Sequence, residues 1–287
     1  MKRRKRQIKI FFSSIFALAA LFCIFYLTNY QKPSADTNVS DQIATTATAS
    51  PETTTPLPEI TPPSPATETV PVETSPNVPI VMYHHIRTFT DTSDQIGFNL
   101  SVPPEKFESQ LDYLQAQGYQ TINFSDITSK NIPAKPVILT FDDGYENFYQ
   151  NAYPALKKRG MTATLFAIVR MQGGDYMTPD QLKEISANGI EVGSHTLSHP
   201  DLAQASSEKS LQEITESKAD LEAIIGKKIT SFCYPAGKYN ANTITQLQSA
   251  GYTYAVTTKS GLASFKNPFE LNRYRMNNDT SIKAYLK

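Results

Sequence analysis

Two adjacent carboxylates follow an apolar run in the segment ILTFDDGYENF, residues 138–148. Asp142 and Asp143 repel each other when both are ionised, and neither stabilises the strand that precedes them. A turn after a strand explains an isolated Asp-Asp-Gly, since Asp-Gly is frequent in turns and Asp is a favoured helix N-cap. A bound divalent cation also explains the pair, because its charge outweighs the repulsion between the two acids.

The histidines of this chain are confined to two short segments. Of the four in the sequence, His195 and His199 lie in SHTLSH, and His84 and His85 lie in MYHHI. One helical turn over 195–199 would place two imidazoles on one face, as two ligands of one metal require, although this spacing is also common on surfaces. Two neutral imidazoles and one carboxylate suit a catalytic Zn²⁺, and the same set holds non-haem Fe²⁺.

One aspartate of the pair is expected to bind such a metal while its neighbour reaches a water on it. Gly144 permits the turn that separates the two side chains. Zn²⁺ lowers the pKa of a bound water to about 7, and a nearby carboxylate takes its proton as the water attacks a carbonyl. Spacing alone leaves open which aspartate has which role.

Short apolar runs alternate with amphipathic segments between residues 78 and 287. This alternation predicts an α/β fold with a parallel sheet, and about seven such units predict a distorted (β/α)7-8 barrel. In such barrels the chemistry gathers at the carboxyl ends of the strands. The predicted strands are 78–86, 135–141, 162–169, 190–196, 229–235, 252–258 and 269–276. The predicted helices are 103–118, 146–160, 178–189, 206–226 and 241–251.

Two helix signals are local. Thr178 is expected to cap the helix over 178–189, with Pro179 at its first position. Pro154 is expected to kink the helix over 146–160, because proline has no backbone N–H to donate.

Residues 1–30 predict a basic cytoplasmic tip followed by a membrane anchor. The basic cluster precedes an apolar run from Ile8 to Leu27, roughly the 20 residues that cross a bilayer as a helix. The positive flank predicts a single-pass protein of the cell membrane whose following domain is extracellular. A cleaved signal peptide is the alternative, but residues 28–32 are a poor cleavage site.

Residues 31–77 predict a disordered Pro/Thr-rich linker, since they contain few large apolar side chains. Residues 78–287 are long enough for one core and form the predicted catalytic domain, expected to be monomeric.

Cys23 lies in the anchor and Cys233 in the domain, so no disulfide can form within the domain. The net charge is zero and the basic residues concentrate at the anchor, so nothing indicates nucleic-acid binding.

TFDDGY at 140–145 followed by SHTLSH at 194–199 resembles the polysaccharide deacetylases with a NodB homology domain, carbohydrate esterase family 4. NLSVPPEKFESQLDYLQAQGY and SFCYPAGKYN resemble the subgroup of poly-N-acetylglucosamine and related wall-polysaccharide deacetylases. The resemblance spans nearly all of 78–287. It implies an enzyme that uses one divalent metal ion, Zn²⁺ or another transition metal. Its substrate would be the N-acetylglucosamine units of peptidoglycan or poly-N-acetylglucosamine, from which it removes acetyl groups.

The same resemblance assigns roles to the site residues. It makes Asp142 the catalytic base and Asp143, His195 and His199 the metal ligands. It also makes the backbone N–H of Ala236 an oxyanion donor, a role that does not depend on the side chain.

Two features depart from the wider family. Cys233 occupies the position at which many members carry an arginine that orients the base, and a thiol cannot replace a guanidinium. Arg273 or Arg275 in LNRYRM could supply that charge, and we predict Arg273. No histidine follows His199, so the Leu-x-His general acid is missing; the subgroup implies that His84 takes its place.

Residues 84 and 85 face opposite sides of an extended strand, so we expect only His84 to face the cavity. The tyrosines at 145, 234, 239 and 252 either pack in the barrel or line a sugar groove.

Two other functions remain open. One is a catalytically silent glycan-binding domain, suggested by the missing Arg and His, although the intact Asp142 and metal ligands disfavour it. The other is an O-acetyl esterase acting on a xylan-like polymer.

Overall fold

The computed structural model describes residues 77–128 and 132–286. The anchor predicted over 1–30 and nearly all of the linker predicted over 31–77 lie outside these residues. Within the described ranges, no helix combines the length and the apolar character needed to cross a bilayer.

The strands and helices fall close to their predicted positions. The strands are β1 Asn77–Val78, β2 Ile80–Tyr83, β3 His85–Ile86, β4 Ser101–Val102, β5 Gln120–Thr121, β6 Pro136–Phe141, β7 Thr164–Ala167, β8 Glu191–Ser194, β9 Ser231–Cys233, β10 Tyr254–Val256, β11 Ala263–Ser264 and β12 Tyr274–Arg275. The α-helices are α1 Gln95–Leu100, α2 Pro104–Ala116, α3 Tyr153–Lys158, α4 Pro179–Ala187, α5 Ser207–Ile225 and α6 Ala241–Ser249.

The main sheet is parallel, and its strands β2 and β6 to β10 follow the order of the chain, whereas β12 lies beside β2. Its strands lie in the order β10-β9-β8-β7-β6-β2-β12, and β5 pairs with the start of β6. At the β10 edge, Leu271 N–H donates to the Ala255 carbonyl at 3.0 Å, while β12 pairs with β2 at the other edge. The predicted α/β class and parallel sheet are confirmed. The sheet curls as a half-barrel, and no ladder among the described residues closes it into the predicted (β/α)7-8 barrel; a short segment, 271–275, contacts both of its edges.

Alternation along the strands separates two apolar layers. In β6, Val137, Leu139 and Phe141 pack in the layer that contains the helices, whereas Ile138 packs in the inner layer. The residues at 80, 166, 233 and 256 belong to this same inner layer. Side chains two residues apart share a face of a strand. Asp142 and His84 therefore continue the inward rows of β6 and β2.

The structure contains the helix cap predicted at Thr178 and an interruption of the helix near Pro154. Thr178 caps α4, where its hydroxyl accepts from Gln181 N–H at 3.3 Å and the Gln181 side chain accepts from Thr178 N–H at 2.8 Å. The predicted single helix over 146–160 is divided, with a π-helical turn over Phe148–Ala152 before α3. Pro154 follows this turn directly, and its missing N–H breaks the regular α-helical pattern.

Gly193 leaves space for an aromatic ring inside the curled sheet. Phe166 of β7 and Gly193 of β8 are register partners. A Cβ atom on residue 193 would lie 2.5 Å from Phe166 Cδ1 and 2.7 Å from Ser231 Oγ. Any side chain at this position would displace the ring or the neighbouring strand.

Gly193→Ala is expected to reduce the free energy of unfolding by about 1–3 kcal/mol, because it overpacks this interior. Urea denaturation of the purified protein measures the effect. The double variant with Phe166→Leu should lose less than the sum of the two single losses, since leucine removes the clashing ring edge. An unchanged urea midpoint for Gly193→Ala would show that the interior is not tightly packed here.

Candidate active site

The carboxyl ends of the strands bring the predicted site residues to one edge of the sheet. Asp142 and Asp143 follow β6, His84 follows β2, and His195 follows β8. Asp143 Oδ1 lies 3.3 Å from His195 Nε2 and 3.8 Å from His199 Nε2. The structure thus places two acids and three histidines together, as the strand pattern predicts, while their roles remain predictions.

Backbone strain is concentrated at this edge. Within the described residues, the non-glycine positions with positive φ are Asp143 at 74°, Thr196 at 70°, His199 at 59° and Ala236 at 52°. Such conformations cost about 1–3 kcal/mol each and persist only where the surroundings hold them. At Asp143 the left-handed turn continues into Gly144, and it separates this side chain from that of Asp142. The sequence contains no signal for this strain.

The helical turn considered for 195–199 is not formed. The segment is irregular, and Thr196 and His199 both have left-handed backbone. The hydroxyl of Thr196 accepts a hydrogen bond from His199 N–H at 2.9 Å. The rings of His195 and His199 still converge, with centroids 4.8 Å apart at an interplanar angle of 78°.

Glu213 of α5 holds this irregular loop in place. Its fully buried carboxylate accepts the N–H groups of Leu197 and Ser198 at 2.9 Å each, and the Ser198 hydroxyl at 2.6 Å. Lys209 Nζ lies 2.8 Å from the same carboxylate. Burial alone raises the pKa of Glu213, but the hydrogen bonds from Lys209 and Ser198 outweigh burial and lower it. Glu213 therefore pairs the N–H groups of residues 197 and 198, while the N–H that a helical turn would use internally, that of His199, binds the Thr196 hydroxyl instead.

Sequence reasoning missed Glu213, although a signal for it exists. The residues of α5 that face the core include Ser210, Ile214 and Ser217, and Glu213 lies on this buried face. A carboxylate on the buried face of an amphipathic helix needs a partner, since an unpaired buried charge is costly. That reasoning would have predicted a polar contact here.

Glu213→Gln is expected to destabilise the protein by about 1–3 kcal/mol at pH 7, because an amide nitrogen cannot accept these hydrogen bonds. A carboxyl group with a lowered folded pKa stabilises the fold above its unfolded pKa, and this stabilisation is lost as the pH falls through the folded pKa. The difference in urea midpoint between wild type and variant should therefore shrink as the pH falls below about 4. Asp220→Asn, at an exposed position of the same helix, serves as the control. A constant difference down to pH 3 would contradict this role.

Asp143, His195 and His199 form a candidate metal site. Their ligand atoms lie within 4.8 Å of one another. His195 Nδ1 lies 2.7 Å from the Cys233 carbonyl oxygen, which can only accept, so Nδ1 carries a proton. Burial alone lowers the pKa of His195, but Cys233 and Asp143 outweigh burial and raise it, so without a metal Nε2 shares a proton with the Asp143 carboxylate. Two such electron-pair donors need a cation or a proton between them, so the donor set fits a divalent metal.

Arg273 is fully buried and reaches Asp142 from the residue before β12. Its Nη1 and Nη2 atoms lie 2.7 and 2.8 Å from the two carboxylate oxygens of Asp142. Its Nε atom donates to the Thr257 carbonyl at 2.9 Å. Burial alone raises the pKa of Asp142, but Arg273 outweighs burial and holds this pKa well below its usual range. Arg273, and not Arg275, therefore keeps the Asp142 carboxylate ionised.

Cys233 packs against this ion pair. Its sulfur lies 3.5 Å from Asp142 Oδ2 and 3.3 Å from Arg273 Nη2. Burial raises the pKa of the thiol, so it is neutral. Asp142, His195 and Cys233 also lie within ligand distance of one another. A neutral thiol and an arginine-bound carboxylate are poor metal ligands, however, so this second group suits a cation less well.

His84 and Ala236 complete the predicted set. His84 Nε2 lies 3.9 Å from Asp142 Oδ2, and its Nδ1 atom is buried with no partner among the described residues. Burial lowers the pKa of His84 to about 4, so the imidazole is neutral near pH 7. Ala236 is exposed and follows β9 in its left-handed conformation. Its part as an oxyanion donor stays a prediction.

The four tyrosines are divided between core and rim. Tyr234 and Tyr252 are buried and belong to the layer between sheet and helices. Tyr145 and Tyr239 are half-buried, and the Tyr239 hydroxyl donates to Glu270 at 2.7 Å. Of the four, Tyr145 and Tyr239 are the two that keep exposed surface.

Comparison with known proteins decides the family. Residues 129–255 match the family described as polysaccharide deacetylase. YxkH of Bacillus subtilis (strain 168), assigned by its name to the polysaccharide deacetylases, is 35% identical over 215 residues, which cover 72% of this chain and 74% of that protein. The chain belongs to the polysaccharide deacetylase family. The family predicted from TFDDGY and SHTLSH is thereby confirmed.

Two further relatives of this family member carry more specific names. The Streptococcus pyogenes deacetylase PplD, solved in complex with acetate, is 32% identical with a TM-score of 0.70, and the match covers 75% of this chain and 100% of that chain. The poly-beta-1,6-N-acetyl-D-glucosamine N-deacetylase of Staphylococcus aureus (strain MSSA476) is 27% identical over 199 residues, covering 60% of this chain and 69% of that protein.

Arg273→Met is expected to destabilise the protein by about 3–5 kcal/mol at pH 7, because it leaves the buried Asp142 carboxylate unpaired. The lowered pKa of Asp142 stabilises the folded protein above its unfolded pKa of about 3.9, and this stabilisation is lost as the pH falls. Urea unfolding should therefore show a smaller pH dependence between pH 7 and pH 3 in the variant. Arg275→Met, a charge change in the same strand, is the control. Equal effects of both substitutions would argue against the specific pair.

Proposed function

We propose that this deacetylase is metal-dependent and removes acetyl groups from N-acetylglucosamine units of an extracellular or cell-wall polysaccharide, peptidoglycan or poly-N-acetylglucosamine. One observation carries the proposal: Asp142, ionised by Arg273, lies directly beside the Asp143, His195 and His199 cluster. The acetate complex of PplD and the name of the Staphylococcus aureus relative support the acetyl chemistry and the substrate class.

Asp143, His195 and His199 would hold the metal, with Zn²⁺ the ion that best suits two imidazoles and a carboxylate. A divalent cation at this site supplies Lewis-acid chemistry, since it lowers the pKa of a coordinated water to about 7 and polarises an acetamide carbonyl. His195 is oriented for this part by its hydrogen bond to the Cys233 carbonyl. His199 is oriented through the loop that Glu213 holds.

Asp142 would act as the general base. Arg273 keeps it ionised, so it enters the reaction ready to accept a proton from the attacking water. His84 enters neutral and must gain a proton before it can act as an acid. The proton taken by Asp142 can pass to His84, whose Nε2 atom lies 3.9 Å from Oδ2. His84 then protonates the leaving amine, and the products are acetate and a glucosamine unit.

Arg273 also bears on the silent glycan-binding alternative. That alternative arose because Cys233 replaces the arginine that orients the base in many members of the family. A buried guanidinium from another strand reaches the same carboxylate. The absence of arginine at position 233 therefore no longer argues against activity.

We further propose that the protein is a monomer anchored in the cell membrane by residues 1–30, with the deacetylase domain outside the cell. The support for this location is the basic flank and apolar length of the first 30 residues and the Pro/Thr-rich composition of 31–77. Such a tether suits a substrate that lies in the cell wall.

Acetate release tests the proposed reaction. Zn²⁺-loaded protein should release acetate from peptidoglycan or from β-1,4 or β-1,6 N-acetylglucosamine oligomers. Asp142→Asn should lower kcat by about 10²–10⁴-fold, because the amide cannot take a proton. The zinc content should stay unchanged in this variant and fall in His199→Ala, since only the second residue is a proposed ligand. No acetate from any of these substrates, or full activity of Asp142→Asn, would refute the proposal.

A further inference from the structure

His85 has no part in the mechanism above, yet its surroundings define which ring nitrogen carries a proton. Ile86 N–H donates to Asn147 Oδ1 at 2.8 Å, which fixes the orientation of this amide. The amide nitrogen Nδ2 of Asn147 lies 2.8 Å from His85 Nδ1. An amide nitrogen only donates, so Nδ1 accepts, and the neutral ring carries its proton on Nε2.

The amide that sets this tautomer is held by the backbone of β3. Asn151, four residues after Asn147, donates from Nδ2 to the Ile86 carbonyl at 2.7 Å. The N–H and the carbonyl of Ile86 are thus both bound by asparagines from the segment around the π-helical turn. Asn147 cannot rotate its amide without leaving the Ile86 N–H unpaired, which is costly for a buried group.

His85 lies beside the candidate active site, although the alternation along the strand predicted that only His84 would face the cavity. Its ring stacks on Tyr145 with centroids 3.6 Å apart and an interplanar angle of 24°. Tyr145 follows Asp143 by two residues, and burial together with the nearby Asp143 carboxylate raises the pKa of Tyr145. On its other side Tyr145 stacks on Tyr176 at 5.0 Å. These three rings form an aromatic wall next to a proposed metal ligand.

The proton-bearing nitrogen of His85 has no hydrogen-bond partner among the described residues and is not completely buried. His85 retains 6% of its surface exposed. A few side-chain nitrogens and oxygens of the described residues are completely buried and have no hydrogen-bond partner. His84 Nδ1 is one of these atoms, but His85 Nε2 is not. With Nδ1 covered by Asn147, the free hydrogen-bonding group of His85 is the Nε2–H donor.

We propose that His85 donates a hydrogen bond from Nε2 to an uncharged oxygen of the sugar, a hydroxyl or the acetamide carbonyl, and so positions the substrate. This inference rests on the proposed function and adds a binding residue to it. A neutral donor suits an uncharged sugar, because it offers a directed hydrogen bond without competing with Arg273 for the nearby acids. Tyr145 and Asn147 hold the ring in the required orientation.

The proton position is tested by ¹⁵N NMR of the full-length, Zn²⁺-loaded protein in detergent micelles, labelled at its four histidines. His85 should show a protonated Nε2 and an unprotonated Nδ1 from pH 6 to pH 8. In Asn147→Asp the carboxylate can only accept, so the Nδ1 signal should change to that of a protonated nitrogen. A protonated Nδ1 at His85 in the wild type would overturn the inference.

The contact with the sugar is tested by binding of N-acetylglucosamine oligomers to the Asp142→Asn protein. Adding His85→Phe keeps a ring against Tyr145 but removes the donor, and should raise Kd about tenfold. His85→Gln places an amide nitrogen near the position of Nε2 and should recover most of that loss. The Nε2 signal of His85 should also shift when the oligomer binds.

An unchanged Kd in the His85→Phe variant, or no binding by its Asp142→Asn parent, would overturn the inference. The proposed function is judged separately, by acetate release from the wild type. An enzyme that releases acetate while His85→Phe binds normally would refute only the role of His85. Binding that depends on His85 without any acetate release would refute only the proposed reaction.

Discussion

The buried ion pair between Arg273 and Asp142 is the constraint on which the rest of this structure depends. Removing two charges from water costs several kcal/mol per ion, and only well-made hydrogen bonds offset this cost. Arg273 meets both oxygens of Asp142 and also binds Thr140 and Thr257, which belong to or follow different strands. The same contacts join the end of β6 to the segment that touches both edges of the curled sheet. The residue that keeps the proposed base ionised thus lies in the segment that contacts both edges of the sheet.

Around this pair, the active-site edge is built from backbone conformations that would not persist alone. Asp143, Thr196, His199 and Ala236 are left-handed, and buried polar groups hold the loops in which they lie. Glu213 binds two N–H groups of the loop between the proposed histidine ligands, and Thr196 binds a third. The local strain is thus balanced by hydrogen bonds to a helix that lies outside the cavity. This arrangement lets two imidazoles approach one carboxylate without a regular secondary structure.

The sequence predicts the parts of this site that follow from periodicity. Alternation along β2 and β6 places His84 and Asp142 on the inner face, and parallel strands bring their ends to one edge. Cys233 occupies a position where many family members have an arginine. The need for a positive charge near the base therefore led to the prediction of Arg273. The loop over 195–199 and the partner of His85 were not predicted, because the buried position of Glu213 indicates a polar contact but not which backbone groups it binds, and Asn147 acts across a long separation in sequence. Asn147, for instance, is separated from His85 by 62 positions.

The place where the chain enters the domain has a mechanical consequence. Asn77 and Val78 form β1, which leads directly into the amino end of β2 and pairs with β11. The histidines and aspartates stand at the opposite, carboxyl edge of the sheet. Any segment that precedes Asn77 therefore joins the domain at the amino edge of the sheet. If the proposed tether and glycan substrate are correct, attachment and substrate binding would use opposite ends of the same strands.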